Sequence, residues 1–167
     1  MKNIFLIAAG VWICFVLEYF FVQWFPLWFR PNILLLLVIF FNVYRGIRHS
    51  LLVAFLAGLI QDAFAPQFFG LNIFSFMLCA YLTTFLKMYI YEAGSSASRL
   101  FLVFLVSFLY VFIGALLRMM FVPLNFGAVI RYVMLPQVIA TAAVSLHLLR
   151  MFRKCALKDA VIPPLSQ

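Results

Sequence analysis

The chain has 167 residues, of which 68% are hydrophobic and only 10% are charged, and its mean hydropathy is +1.18. Soluble domains are roughly 45–50% apolar and about 25% charged, so this composition excludes a soluble protein and predicts an integral membrane protein. The net charge of +8 does not indicate nucleic-acid binding, because the basic residues separate apolar segments instead of clustering on one polar face.

Six apolar segments follow one another along the chain, separated by charged residues, Pro, Gly and Asn. They cover residues 4–25, 33–44, 51–65, 71–91, 100–122 and 128–149. A helix needs about 20 residues to cross the hydrocarbon, so the second and third segments are short. They form either a re-entrant hairpin or two short helices that the rest of the protein surrounds. We therefore predict an all-α integral membrane protein, a compact bundle of six transmembrane helices whose second and third helices are short.

The basic residues predict the orientation of this bundle. If the N-terminus is cytoplasmic, nine of the 12 basic residues lie on the inner side, and only Arg30, Arg118 and Arg131 lie on the outer side. This positive-inside bias predicts that both termini are cytoplasmic. Arg45 and Arg48 then lie at the apex between the second and third segments, which should reach water because arginine is costly at mid-membrane. A four-span arrangement would place the termini on the same side as well. We expect one membrane domain, residues 1–149, and a basic cytoplasmic tail, residues 150–167.

Small and polar residues mark the faces on which the helices should pack. In the third segment Ala54, Gly58 and Asp62 recur every four residues, so a neighbouring helix can approach closely along that face. Similar stripes occur in the three segments that follow, and ordinary helix packing in a membrane bundle accounts for them. Pro31, Asn32 and Gly70 flank these segments. We assign to a helix-packing or partner face the residues Pro31, Asn32, Ala54, Gly58 and Gly70.

Two carboxylates and three arginines form a candidate charge cluster in the outer leaflet. Glu18 and Asp62 fall toward the outer side of the first and third segments, where Arg30, Arg118 and Arg131 are also expected. Ionisable residues inside a membrane usually pair with one another. The cluster can serve as an internal clamp between helices, as a docking site for a partner or an anionic ligand, or as a proton or ion relay.

The sequence gives little support for catalysis. His, Cys and carboxylate residues do not occur at metal-ligand spacing, and the chain has no glycine-rich phosphate loop or nucleophile elbow. We predict that the protein is not an enzyme and has no catalytic residues, no metal and no cofactor. The cysteines Cys14, Cys79 and Cys155 lack paired spacing, so we expect free thiols, the first two of them buried.

Four short motifs in a fixed order resemble a known family. They are FRPN at 29–32, AGLIQD at 57–62, FGLN at 69–72 and AYL at 80–82. Together they resemble the family of the rod shape-determining protein MreD over residues 29–85. The length, the six-segment layout and the basic C-terminal tail are also similar to that family.

The resemblance implies a function and a set of partners. Members of the MreD family are non-enzymatic subunits of the bacterial inner membrane in the machinery that elongates the lateral cell wall. They associate with MreC, and through it with the MreB filament and a peptidoglycan synthase made of a RodA-type glycosyltransferase and a class B penicillin-binding protein. The basic tail could contact membrane lipid or a cytoplasmic partner.

A transporter subunit is the alternative. A compact six-helix protein with charges in the outer leaflet would also suit a small-molecule-binding component of an energy-coupling transporter, and hydropathy does not distinguish the two. A tightly bound small molecule in the purified protein, without MreC, would favour transport. Loss of rod shape on depletion, together with co-purification of MreC, would favour the cell-shape role.

Overall fold

All secondary structure elements in the described part of the chain are helices. The computed structural model describes residues 2–24, 31–64, 69–90, 96–120, 127, 131 and 134–145. Within these ranges there are six helices and no strand, which confirms the predicted all-α class. The helices are α1 Lys2–Trp24, α2 Ile33–Arg45, α3 Ile47–Phe64, α4 Leu71–Ile90, α5 Ser96–Met119 and α6 Leu135–Ser145. The predicted tail, residues 150–167, lies outside the described residues.

Among the residues that the structure describes, three helices contain stretches that are long and apolar enough to cross a membrane, namely Ile47–Phe64, Leu71–Tyr89 and Ala97–Met119. The prediction that the third helix is short was therefore wrong, because α3 has 18 residues. It begins at Ile47 and runs through Arg48 and His49, which hydropathy had assigned to a polar break. A helix is held by backbone hydrogen bonds and does not need apolar side chains. The first turn of α3 can therefore contain basic residues such as Arg48 at the point where the helix emerges from the bilayer.

The short helix α2 lies at the centre of the bundle. Its 13 residues are about 20 Å long, well below the roughly 30 Å of the hydrocarbon. Ten of the 13 are buried, and α2 packs against α1, α3, α4 and α5. A helix that is apolar on all sides belongs in an interior. The continuous Ile, Leu and Val run of its sequence therefore matches its position, and α2 is a short helix surrounded by protein.

The stripes of small and polar residues face inward. Ser75, Cys79 and Thr83 of α4 are all buried, and the two hydroxyls donate to carbonyls one turn earlier, at Leu71 (2.7 Å) and Cys79 (2.6 Å). Cys14 is also buried and free, as is Cys79, which confirms the prediction for these two thiols. Cys155 lies outside the described residues.

Large apolar side chains cover the outer surfaces of α1 and α4. Trp12 and Phe20 of α1 are 54% and 55% exposed, and Tyr81 and Met88 of α4 are 62% and 81% exposed. In water such a surface would be unfavourable, whereas in a bilayer it lies in hydrocarbon. The bundle therefore has its polar groups inside and its largest apolar groups outside.

Candidate functional site

Asp62 is the most extensively bonded side chain at one end of the bundle. It lies in the last turn of α3, is fully buried, and accepts three hydrogen bonds from backbone N–H groups at the start of α4. Oδ2 accepts from Gly70 (3.0 Å) and Ile73 (3.1 Å), and Oδ1 accepts from Asn72 (3.1 Å). The first N–H groups of a helix have no partner within it, and the helix dipole makes that end positive. A carboxylate supplied by the neighbouring helix satisfies both needs.

Gly58 brings α4 close enough for this contact. A Cβ built on Gly58 would lie 2.7 Å from the backbone nitrogen of Ile73, closer than real Cβ atoms approach any heavy atom. One turn before it, Ala54 is fully buried as well. The absence of a side chain at Gly58 lets the first turn of α4 rest directly on α3, and Asp62, one turn further on, then reaches its N-terminus.

Gly70 provides the conformation of the turn. Its φ is +97°, in the left-handed region that costs an ordinary residue about 1–2 kcal/mol. No heavy atom lies within 4 Å of a Cβ built there, so the requirement for glycine is conformational and not steric. The conformation directs the N–H of Gly70 toward Asp62.

Glu18 of α1 binds the start of α2 in a similar way. Its Oε2 accepts a hydrogen bond from the backbone N–H of Leu34 (3.1 Å), and its Oε1 accepts from the Nε2 of Gln61 (2.9 Å). The side chain of Asn32 adds a conventional N-cap, since its Oδ1 accepts from Leu35 N (2.8 Å). The N-termini of α2 and α4 therefore each carry a buried or half-buried carboxylate from another helix.

The contacts of Glu18 and Asn32 continue to α5 and α6. The Tyr110 hydroxyl donates to the Oε1 of Gln61 (3.3 Å), and the Tyr110 ring packs on Phe76 with centroids 4.9 Å apart. The backbone N–H of Asn32 donates to the Thr141 hydroxyl (3.1 Å). We name this set the polar layer; its side chains come from α1, α3, α5, α6 and the N-cap of α2, and Asp62 binds the backbone at the start of α4. Its members are Glu18, Asn32, Gln61, Asp62, Tyr110 and Thr141.

The comparisons with known proteins identify the family. The model of the rod shape-determining protein MreD matches residues 2–157, nearly the whole chain. The chain belongs to the MreD family. No curated protein and no solved structure matches it. This MreD-family chain is thus a rod shape-determining integral membrane protein, and the resemblance read from residues 29–85 extends over almost its full length.

The family motifs of this MreD chain map directly onto the polar layer. FRPN ends in the N-cap Asn32, AGLIQD supplies Gly58, Gln61 and Asp62, and FGLN supplies Gly70 and the start of α4. Pro31, beside the N-cap, is buried. The order and spacing of the motifs therefore correspond to one set of helix-end contacts, although the segments are far apart in sequence.

The hydrogen-bond partners of the two carboxylates differ from those that the sequence suggested. Pairing with arginine was expected, whereas the observed donors are backbone N–H groups and Gln61. Sequence reasoning missed the backbone donors because backbone groups carry no residue signal, and it noted Gln61 only as part of the AGLIQD motif. Arg118 and Arg131 have exposed side chains, and Arg30 lies outside the described residues. An outer charge cluster that includes these arginines stays a prediction.

A second polar contact set lies toward the opposite end of α2. The buried Asn42 donates from Nδ2 to the Ala80 carbonyl (2.8 Å) and to the Thr84 hydroxyl (2.9 Å). Lys87 donates to the Val43 carbonyl (2.8 Å). These bonds fix α2 against α4. In the ranges that the structure describes, His, Cys, Asp and Glu side chains form no group of three that could hold a metal ion.

Proposed function

We propose that this chain is a non-enzymatic scaffold subunit of the machinery that elongates the lateral cell wall in the bacterial inner membrane. The MreD family match over residues 2–157 carries the proposal. The polar layer supports it, because Glu18 and Asp62, the only carboxylates among the described residues, both bind helix N-termini. A bundle locked in this way offers fixed outer surfaces to partner proteins.

We assign the contact with MreC to the membrane-embedded surface of the bundle, and through MreC the link to MreB, the RodA-type glycosyltransferase and the class B penicillin-binding protein. The exposed faces of α1 and α4 support this assignment, because Phe20, Tyr81 and Phe85 present large apolar side chains outward. Transmembrane helices associate mainly by van der Waals packing, and these faces are not covered by other helices of the described bundle.

The proposed orientation has six crossings and both termini in the cytoplasm. The turn between α2 and α3, with Arg45 and Arg48, then faces the cytoplasm, and the polar layer lies toward the outer side. The positive-inside bias of the sequence supports this orientation. As α2 is surrounded by other helices, its short length creates little mismatch with lipid.

Site-specific photo-crosslinking in cells tests the partner assignment. A photoreactive residue is placed at Trp12 or Phe20 on α1, at Tyr81 or Phe85 on α4, or at the fully buried Phe76 as a matched aromatic control. We expect MreC to be captured from one of the two exposed faces and not from Phe76.

Two outcomes would contradict the proposal. In the first, neither exposed face captures MreC in cells that remain rod-shaped. In the second, the purified chain retains a small molecule and does not co-purify with MreC, which would favour the transporter alternative.

A further inference from the structure

Tyr81 places a hydroxyl near the middle of the membrane, on the exposed face of α4. The apolar stretch Leu71–Tyr89 is long enough to cross a membrane, and Tyr81 lies ten residues after its start, about 15 Å along the helix axis. The tyrosine side chain is exposed and is much shorter than that distance, so its hydroxyl does not reach the head groups or water. Lipid hydrocarbon offers no hydrogen-bond partner at this depth.

The hydroxyl of Tyr81 also has no partner within the described part of the bundle. Ser75 and Thr83 of the same helix donate to carbonyls one turn earlier, at Leu71 and Cys79. The rigid ring of a tyrosine holds its hydroxyl too far from the helix axis for such a bond, and Tyr81 makes no hydrogen bond to any described residue. An unpaired hydroxyl in an apolar medium is unfavourable, so this position requires a polar group from another molecule.

Tyr81 is also the midpoint of a row of exposed side chains that suits contact with another helix. We name this row the α4 stripe, and its members are Phe74, Met77, Tyr81, Phe85 and Met88. They recur at intervals of three and four residues, the spacing along which two helices pack at a shallow angle. The α4 stripe therefore has the pattern of a helix contact, with one hydroxyl at its centre.

We propose that the α4 stripe pairs with the α4 stripe of a second copy of this chain, with the two Tyr81 hydroxyls hydrogen-bonded to each other. Two copies enter the membrane with the same topology, so a two-fold axis along the membrane normal brings identical residues together at the same depth. A tyrosine hydroxyl both donates and accepts, so it complements itself. A second copy therefore supplies a polar group at the depth where one is required.

The exposed face of α1 does not complement itself in this way. Trp12 lies near the middle of α1, Lys2–Trp24, and is exposed like Tyr81. Its indole N–H only donates, so two copies paired through α1 would bring two donors together without an acceptor. Pairing of copies is thus favoured on α4, which leaves the α1 face to a different protein. The inference goes beyond the scaffold role and does not depend on MreC.

Disulfide cross-linking in membranes locates the contact. Met77→Cys and Phe85→Cys each place a thiol one turn from Tyr81 and leave the hydroxyl intact, and Trp12→Cys is the matched control on the exposed face of α1. After oxidation we expect covalent dimers from the two α4 variants at several times the level given by Trp12→Cys or by wild type, whose described cysteines are buried. Equal yields from α1 and α4, or no yield above wild type, would overturn the proposal.

The role of the hydroxyl is tested by Tyr81→Phe, which keeps the ring and removes only the oxygen. Dimerisation of the full-length protein in liposomes is measured by Förster energy transfer between labelled copies as the protein is diluted in lipid. It should weaken about three- to tenfold, the range that one interhelical hydrogen bond contributes in a membrane. The matched control is Tyr89→Phe, the same change near the end of α4, which should leave dimerisation unchanged.

Three results of the dilution experiment would overturn the proposal. They are a wild type that stays monomeric at every dilution, equal dimerisation of wild type and Tyr81→Phe, and an equal loss in Tyr89→Phe. If Tyr81→Phe dimerises normally but captures less MreC, the α4 stripe contacts a helix of a different protein and not a second copy. Since the Tyr81 hydroxyl bonds to no described residue, we expect the variant to fold as wild type does.

Discussion

The two turns that follow α2 and α3 both depend on glycine, yet they are held in different ways. Gly46, alone between α2 and α3, has φ +84° and ψ 176°, and backbone bonds join it to Asn42 (3.2 Å) and Ser50 (3.2 Å). Gly70, before α4, has φ +97° and donates to the buried carboxylate of Asp62. The first turn needs only its own backbone, whereas the second requires a particular side chain on another helix.

This difference suggests which end of the bundle determines the arrangement of the helices. A one-residue turn forces α2 and α3 to lie side by side but adds no tie to other helices. The Asp62 turn belongs to the polar layer, whose hydrogen bonds reach every helix. We therefore expect substitutions in the polar layer to affect the whole bundle, and substitutions at Gly46 to act locally.

Asp62→Ala should have the largest effect. It leaves the N–H groups of Gly70, Asn72 and Ile73 without an acceptor in a buried setting, so we expect a loss of about 3–4 kcal/mol in the free energy of unfolding. Unfolding in a detergent and denaturant titration measures this. Asp62→Asn should lose less, because the amide keeps one acceptor oxygen. A loss below about 1 kcal/mol for Asp62→Ala would contradict the capping role.

Gly58→Ala should come next, with a loss of about 2–3 kcal/mol, because the new methyl group would press on the backbone of Ile73 and shift α4 away from Asp62. The matched control is Gly114→Ala in α5, where a Cβ would meet no heavy atom within 4 Å. The control should be neutral or slightly stabilising, since alanine favours helix. Equal effects at the two glycines would contradict the close approach of α3 and α4.

The two turn glycines give the smallest effect and the most direct comparison. Neither Gly46→Ala nor Gly70→Ala meets a heavy atom within 4 Å, so each should cost about 1–2 kcal/mol from backbone strain alone. In the Asp62→Ala background the cost of Gly70→Ala should shrink, because the bond that fixes the turn is already absent, while the cost of Gly46→Ala should not change. Strict additivity at Gly70 would show that the two residues act independently.

Which segments form helices was largely predictable from the sequence, whereas the residues at which the helices begin and end were predictable only in part. Predicted starts at residues 33 and 71 coincide with Ile33 and Leu71, because Asn32 and Gly70 give local signals of a helix start. The start of α3 was misplaced because hydropathy treats Arg48 as a break, although backbone hydrogen bonding continues through it. Apolar periodicity therefore located the helices better than it located their ends.

The candidate site was predictable as a set of residues but not as a set of bonds. Glu18 and Asp62 stood out because carboxylates are rare in an apolar chain. Their partners did not, because the N–H groups of Leu34, Gly70 and Ile73 are not visible in a sequence. Thr141 reads as an ordinary member of a polar stripe and Tyr110 gives no sequence signal of a site, so only the folded arrangement brings them to the polar layer.

The central proposal is that the polar layer holds the bundle together and does not perform chemistry or transport. Thermal stability and restoration of rod shape, measured together for Asp62→Asn, Asp62→Ala and wild type in depleted cells, test it most directly. We predict that shape is lost in proportion to stability, with Asp62→Asn intermediate in both. A variant that keeps wild-type stability and membrane level yet fails to restore rod shape would contradict the claim.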